Sequence, residues 1–156
     1  DKCPRQQPAT PVNAMKHKIV VDGSHHAYGA WFEECNGYRN DKTKGIAVGN
    51  EEESMYMVTS GKRFNDGCCF DYGNGETNNL DDGDGTMEAI YFGDAHWQGN
   101  TGAGTGPWVG ADLENGMYYG GNASTPSNLP LTHEFATVVL KGRSASFALL
   151  GGDATA

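Results

Sequence analysis

Short runs of strand-forming residues, separated by glycine, asparagine and aspartate, are the feature that most constrains the fold of this chain. The 156 residues include 23 glycines, and helical periodicity is almost absent. Runs such as 55–59, 87–92 and 135–140 carry the β-branched and aromatic residues typical of strands. We therefore predict an all-β fold in which two sheets pack as a sandwich, within a single domain that spans residues 1–156.

The glycine, asparagine and aspartate residues between these runs also indicate where the other strands and the loops lie. Residues 1–16 are polar and contain three prolines, and they are expected to form an extended arm without a core of its own. Polar and glycine-rich composition predicts loops at 36–50, 74–85 and 120–131. Further strands are predicted at 18–21, 27–33, 68–72, 117–119 and 146–150, in addition to one within 104–121.

The acidic balance of the chain bears on its partners. Lysine and arginine number 11 against 20 aspartates and glutamates, which gives a net charge of −9. Because such a surface repels phosphate backbones, we expect no nucleic-acid partner. No apolar run approaches the ~20 residues that a membrane-spanning helix needs. Four cysteines, an even number, and the glycosylation sequon at Asn122 both favour a secreted, extracellular protein.

The stretch 104–121 carries two carboxylates inside a run that is otherwise apolar and rich in glycine. Side chains alternate between the faces of a strand, so Asp112 and Glu114 should point to one face and Leu113 to the other. Neighbouring carboxylates repel and raise each other's proton affinity, a cost that a chain tolerates more readily where they have a function. The alternative is a solvated strand face, or an anchor that hydrogen-bonds a nearby loop.

An acidic turn and a histidine pair are the two candidates for metal sites. Residues 81–85 read Asp-Asp-Gly-Asp-Gly, but no register satisfies all the requirements of a calcium loop, which include glycine at the sixth position and glutamate at the twelfth. His25 and His26 are adjacent, so a strand would turn their side chains to opposite faces. We predict a solvated turn at 81–85 and no bound metal.

Two further features, a pair of adjacent cysteines and a loop tryptophan, each allow two interpretations. Adjacent Cα atoms sit ~3.8 Å apart, below the usual disulfide range of ~4.4–6.8 Å, so a bond between Cys68 and Cys69 would be strained. It would form a rigid apolar surface for a sugar ring; otherwise the two cysteines bond distant partners or stay free. Trp97 is either a stacking platform for a sugar or a partly buried loop anchor.

Several motifs stand in an informative order. The most specific are C-C-F-D-Y-G-N at 68–74 and A-D-L-E-N-G at 111–116. They are accompanied by G-Y-R-N at 37–40, G-I-A-V-G at 45–49, E-T-N at 76–78, G-T-M-E-A-I-Y-F-G at 85–93 and G-A-G-T-G-P-W at 102–108. Together they resemble the catalytic domain of glycoside hydrolase family 54, the fungal-type α-L-arabinofuranosidases.

The resemblance implies a fold, an activity and a set of site residues. The fold would be a two-sheet sandwich of the concanavalin A-like jelly-roll kind. The activity would be retaining hydrolysis of terminal α-L-arabinofuranosyl groups from plant polysaccharides, by a secreted protein that needs no cofactor. Glu114 matches the family's nucleophile, Asp112 and Asn115 match residues that hold the sugar hydroxyls, and Trp97 matches a substrate-contacting tryptophan.

The resemblance also implies a disulfide arrangement. Cys68 and Cys69 match a vicinal disulfide that lines the family's sugar pocket. That pairing leaves Cys3 and Cys35 as the second disulfide. The family's secretion agrees with both pairs being oxidised.

A retaining glycosidase needs a second carboxyl group, the acid/base, ~5–5.5 Å from the nucleophile. In the family this group is an aspartate in a G-G-D loop, and the sequence at 151–153, which ends in Asp153, looks similar. The spacing from 141–142 fits an earlier family stretch better, where asparagine takes that place. In that register the acid lies beyond Ala156. Glu88 is given no role beyond structure.

Two hypotheses of function therefore stay open. The chain is a retaining α-L-arabinofuranosidase-like glycoside hydrolase that acts on arabinose-containing polysaccharides, or a catalytically silent sugar-binding or structural extracellular glycoprotein of the same fold. The motifs match the central part of the family's catalytic domain, so other chains or fragments are expected to complete the sandwich. Without them, runs such as 135–140 should be exposed and the chain should aggregate.

Overall fold

The computed structural model describes residues 17–21, 23–33, 37–40, 42–47, 51–64, 71–75, 87–94, 101–113, 116–118, 124–143 and 146–154. The strands of this part, in chain order, are β1 (Lys18–Val21), β2 (His25–Tyr28), β3 (Glu53–Ser60), β4 (Asp71–Gly73), β5 (Glu88–Gly93), β6 (Thr101–Gly102), β7 (Trp108–Leu113), β8 (Gly116–Tyr118), β9 (Ser124–Thr125), β10 (Phe135–Arg143) and β11 (Ser146–Asp153). Two compact units are built mainly from residues 1–44 and 45–154. Within the described ranges, no helix is long and apolar enough to cross a membrane.

The first unit contains a β-hairpin. β1 and β2 pair antiparallel over four residues each, and Gly23, with a φ of 79°, forms the turn between them. The predicted strand 27–33 is wrong at both ends, since β2 begins earlier and stops at Tyr28, where its partner strand runs out of residues. Beyond that point the Trp31 ring stacks on His17, with ring centroids 4.8 Å apart, and joins no ladder.

Two antiparallel sheets make up most of the second unit. One has the strand order β11-β10-β3 and the other the order β4-β5-β7-β8, while β6 and β9 form a short parallel pair. The two sheets pack face to face through a single apolar core. Its buried members are Ile90, Phe92, Val109 and Ala111 from β5 and β7, and Ala136, Val138 and Leu140 from β10. The prediction of an all-β sandwich is confirmed.

Strand β10 lies at the centre of its sheet and supplies one half of the core. Its residues alternate between buried and half-buried from Phe135 to Leu140, as expected for a strand with one inner face. The expectation that 135–140 would be exposed is therefore wrong, because the inner face of this strand packs against β5 and β7 while β3 and β11 pair with its two edges. Apolar exposure lies instead on the outer face of the flanking strands, where Tyr56, Val58 and Leu150 are 71%, 58% and 64% exposed.

Two valines of the same sheet test where the core lies. Val138 is fully buried and Val58 is 58% exposed. We expect Val138→Ala to lower the free energy of unfolding by about 2–3 kcal/mol, from lost apolar burial and a residual cavity. Val58→Ala shares the loss of strand propensity and should cost less than about 1 kcal/mol. Chemical denaturation of both variants measures the difference, and equal costs would contradict the placement of the core.

Candidate functional site

Strand β7 presents Asp112 on the face that points away from the core. Val109 and Ala111 of this strand are buried in the core, and Leu113 packs against its edge. Asp112 falls between them in the alternation and is half-buried, opposite Ala89 in the ladder. The prediction that Asp112 and Leu113 face opposite sides is confirmed.

On the outer face of β7, burial is complete at the start of the strand and partial at Asp112 near its end, while Ala89, opposite Asp112, is buried. Tyr91 lies opposite Gly110 in the ladder and is fully buried, as is Trp108 at the start of the strand. Asp112, near the end of the strand, is only half-buried. A ligand that approaches this face therefore meets Asp112 before it meets Tyr91. Because Glu114 follows β7 directly in the chain, this end of the strand is the candidate active site.

The segment that covers Trp108 is held by a set of hydrogen bonds. Trp108 Nε1 donates to the Ala103 carbonyl at 2.8 Å, and the Ala103 amide donates to the Asn128 carbonyl at 2.9 Å. Asn128 Nδ2 in turn donates to the Val109 carbonyl at 3.0 Å. Gly102 lies against the indole ring, where a Cβ would come within 2.4 Å of Trp108 Cδ1, so a larger residue would displace the ring. These contacts fix the start of β7 and leave its end free for a site.

Asp112 is the one predicted site residue that lies within the described ranges. Eight others lie outside them: Cys3, Cys35, Cys68, Cys69, Trp97, Glu114, Asn115 and Asn122. Their roles stay predictions, as does the solvated turn at 81–85. Of the predicted strand 68–72, residues 71 and 72 lie in β4 and residues 68–70 lie outside the described ranges. Within the described residues, no group of three or more histidine, cysteine, aspartate or glutamate side chains could hold a metal ion.

Asp153 lies at the opposite end of the sandwich from the end of β7. It sits near the end of β11, opposite Ala136, and its Oδ2 is 3.2 Å from His133 Nδ1. Near that end, a Cβ on Gly151 would touch the Val109 side chain at the start of β7. The direction of β11 is therefore opposite to that of β7.

The position of Phe147, near the start of β11, shows how far Asp153 lies from the end of β7. Leu113 is opposite Glu88 in the ladder, and the backbone amide of Asn74 donates to the Glu88 carbonyl. Asn74 Nδ2 donates to Glu53, which is opposite Gly142 of β10, and Gly142 is in turn opposite Phe147 of β11. Asp153 lies six residue steps beyond Phe147 along β11, about 20 Å at ~3.3 Å per residue. A retaining pair needs carboxyl groups ~5–5.5 Å apart, so Asp153 is too far from the end of β7 to serve as its acid/base.

Sequence reasoning missed a cluster of polar residues at the same end of the sandwich as Leu113. The side-chain Nδ2 of Asn74 donates to Glu53 Oε2 at 2.8 Å, and the backbone amide of Asn74 donates to the backbone carbonyl of Glu88 at 2.8 Å. Glu88 is 5% exposed and shares the inner face of β5 with Ile90 and Phe92. The available signal in the sequence was that Glu88 alternates in step with the core residues Ile90 and Phe92 although it carries a carboxyl group. The partner of Asn74 on β3 could not be read from the pattern.

Comparison with known proteins gives one consistent family. The family described as "Alpha-L-arabinofuranosidase B, catalytic" matches residues 2–156. The chain is 49% identical over 146 residues to α-L-arabinofuranosidase B of Emericella nidulans, covering 90% of this chain and 28% of the relative. It is 47% identical over 143 residues to α-L-arabinofuranosidase B of Penicillium canescens, covering 91% and 30%. The chain thus spans less than a third of the length of these curated relatives.

Two solved structures agree with the family in fold. A family 54 α-L-arabinofuranosidase soaked with a cyclic sulfate inhibitor superposes with a TM-score of 0.82 at 38% identity, covering 93% of this chain and 30% of that one. An arabinofuranosidase complexed with arabinofuranosyl-α-1,2-xylobiose superposes with a TM-score of 0.80 at 38% identity, covering 89% and 29%. At this identity the agreement extends beyond fold to common descent.

Proposed function

The chain belongs to the family of α-L-arabinofuranosidase B catalytic domains, and from that membership we propose that it forms part of a retaining α-L-arabinofuranosidase. The substrate would be an arabinose-containing polysaccharide or glycan, from which the enzyme releases terminal α-L-arabinofuranosyl groups. The observation that carries the proposal is β7, whose outer face presents Asp112 at the end that leads directly to Glu114. The bound arabinofuranosyl-xylobiose of the solved relative supports the substrate class.

The proposed mechanism has two steps with Glu114 as nucleophile. In the first, a Glu114 oxygen attacks the anomeric carbon, the glycosidic bond breaks, and an acid protonates the departing oxygen. In the second, water attacks the same carbon, the ester to Glu114 breaks, and the former acid takes the water's proton. Asp112 and Asn115 hold the sugar hydroxyls during both steps. Trp97 and the Cys68–Cys69 disulfide lie against the sugar ring.

The acid/base of this mechanism is a carboxyl group other than Asp153. Asp153 Oδ2 lies 3.2 Å from His133 Nδ1, and the length of β11 separates Asp153 from the end of β7 by far more than a retaining pair allows. Glu53 and Glu88 lie near that end, but both belong to the inner side of the sandwich. As the register of residues 141–153 in the family resemblance implies, we assign the acid to a further segment of the family's domain.

Carboxylate variants test these assignments. Glu114→Gln keeps the volume and removes the nucleophilic charge, so the chemical step should slow by several orders of magnitude. Asp112→Asn should have a milder effect, because its partner hydroxyl can still be hydrogen-bonded. Asp153→Asn, a matched isosteric control, should leave kcat for an aryl α-L-arabinofuranoside within about threefold of wild type. A large loss in Asp153→Asn would return it to the acid role. Sugar binding without turnover in the wild type would support the silent-glycoprotein hypothesis.

The disulfide assignment has its own test. We expect Cys68 and Cys69 to be bonded to each other, with Cys3 bonded to Cys35, because the C-C-F-D-Y-G-N motif matches the family and a stiff apolar surface suits a furanose ring. Peptide mapping without reduction should recover residues 68 and 69 in one peptide that is two mass units lighter than its reduced form. A peptide that links Cys68 to Cys3 or to Cys35 would contradict the assignment.

The outer face of the three-stranded sheet points to further segments of the assembly. Tyr56, Val139 and Leu150 form one cross-strand row on this face, and Val58 lies beside them on β3. Three of these four side chains are more than half exposed. Soluble proteins rarely leave a contiguous apolar row open to water. We propose that additional chain, from the same precursor or from neighbouring subunits, covers the row and completes the sandwich.

Expression of residues 1–156 alone tests this dependence. If the outer row needs a cover, the isolated chain should self-associate and unfold without a sharp transition. Replacing Tyr56, Val58 and Leu150 with threonine should then raise its solubility without restoring activity. Light scattering and thermal melts provide the measurements. A monodisperse 1–156 chain that melts cooperatively and cleaves an arabinofuranoside would contradict the proposal.

Secretion and glycosylation at Asn122 complete the proposed function. The sequon and the even cysteine count support an extracellular site of action. An arabinose-containing polysaccharide is itself an extracellular substrate, so the proposed activity requires the same location.

A further inference from the structure

The first unit carries a tryptophan whose ring is held in a fixed orientation by two neighbours. The indole of Trp31 stacks on the His17 ring, with centroids 4.8 Å apart and an angle of 11° between the ring planes. Its ring nitrogen Nε1 donates to Glu33 Oε1 at 2.7 Å. The stacked face and the directed hydrogen bond together restrict both the tilt and the rotation of the indole. Trp31 is therefore preorganised, and a ligand that binds it costs the side chain little further freedom.

This fixed ring is still in contact with water. Trp31 is 38% exposed although His17 lies against one face, so the part that water reaches points away from His17. The same unit exposes Tyr28 and Tyr38, each at 53%, and the Tyr38 ring makes an edge contact with Phe32 at 5.7 Å between centroids. Large aromatic side chains gain free energy when they leave water. The first unit thus presents oriented aromatic surface on which a ligand could be bound.

The carboxylate beside the ring favours one kind of ligand over another. Glu33, which holds Trp31 in place, is itself exposed. A covering segment of protein would have to bury this charge together with the indole, which is costly, and the buried centres of protein interfaces are depleted of charged residues. A sugar ring has an apolar C–H face that can stack on an indole, and hydroxyl groups that can donate to a carboxylate. The pairing of Trp31 with Glu33 therefore favours a sugar.

We propose that Trp31 and Glu33 form a second carbohydrate-binding site, here named the Trp31 platform. The face of the indole that points away from His17 stacks on a sugar ring of the arabinose-bearing polysaccharide, and Glu33 accepts hydrogen bonds from its hydroxyls. A neutral polysaccharide is also a ligand that the net charge of −9 does not repel. The choice of polysaccharide rests on the proposed function, whereas the stacking of a neutral sugar does not. Because the platform shares no residue with the candidate active site, it holds the polymer and takes no part in cleavage.

Affinity electrophoresis of the intact protein tests the platform, in gels cast with and without soluble arabinoxylan. Every sample carries Glu114→Gln, so that the polymer is not cleaved during the run. Arabinoxylan should retard this parent protein, and adding Trp31→Ala should raise the apparent Kd about tenfold, as expected for the loss of one central aromatic contact. Trp31→Phe keeps a ring for His17 to stack on, so it should fold, and its Kd should lie between the two. Tyr56→Thr, at an exposed tyrosine of the second unit, should leave the Kd unchanged.

The possible results separate the platform from its alternatives. Retardation of both Trp31 variants as strong as that of the parent would overturn the platform. If Trp31→Ala also melts at a lower temperature in that case, the indole packs against another segment of protein instead. Turnover of an aryl α-L-arabinofuranoside by the protein with Glu114 intact is measured in parallel. A protein that loses retardation with Trp31→Ala but has no such turnover would leave the platform standing and refute the proposed function.

Discussion

The packing of β5 and β7 against β10 is the contact on which the rest of the structure depends. Ile90, Phe92, Val109 and Ala111 meet Ala136, Val138 and Leu140 in one core, and the described strands of both large sheets take their positions from it. Strands that meet only at their inner faces leave their outer faces free for other purposes. On one sheet that face carries the candidate site, and on the other it carries an apolar row.

β7 serves the core and the site at once, which makes its register a strict constraint. Because the side-chain period of a strand is two, a slip by one residue would bring Asp112 into the core and expose Val109 and Ala111. The ladder with β5 and the hydrogen bonds around Trp108 fix that register from two sides. The site therefore inherits its geometry from packing interactions some distance from the chemistry.

Alternation along the strands could be predicted from the sequence because it depends on neighbours in the chain. The opposite facing of Asp112 and Leu113, and the strand starting at Lys18, follow from local pattern alone. The end of β2 could not be predicted, since it is set by the length of a partner strand. The β6–β9 pair has two residues in each strand, too few to carry a period.

The candidate site shows the same division between local and distant information. Family motifs point to Glu114, Asn115 and the two adjacent cysteines, and nothing in the described residues adds to or removes from those assignments. By contrast, the sequence alone kept Asp153 as a candidate through its G-G-D context and opposed it only by spacing, whereas the directions of β7 and β11 exclude it by distance. A three-residue motif such as G-G-D indicates which chemistry a segment could perform. The topology of the strands decides at which end of the sandwich that segment lies.

The two ends of the second unit differ in how they hold charge. At one end, Asp153 Oδ2 lies 3.2 Å from His133 Nδ1 in a partly exposed contact, which solvent screens and which contributes little to stability. At the other, Glu53 accepts a hydrogen bond from Asn74 Nδ2 and Glu88 is almost wholly buried, where an uncompensated charge is costly. The two ends therefore differ in what a charge costs: at Glu88 it would lose its contact with water, whereas the side chains of Asp153 and His133 keep part of theirs.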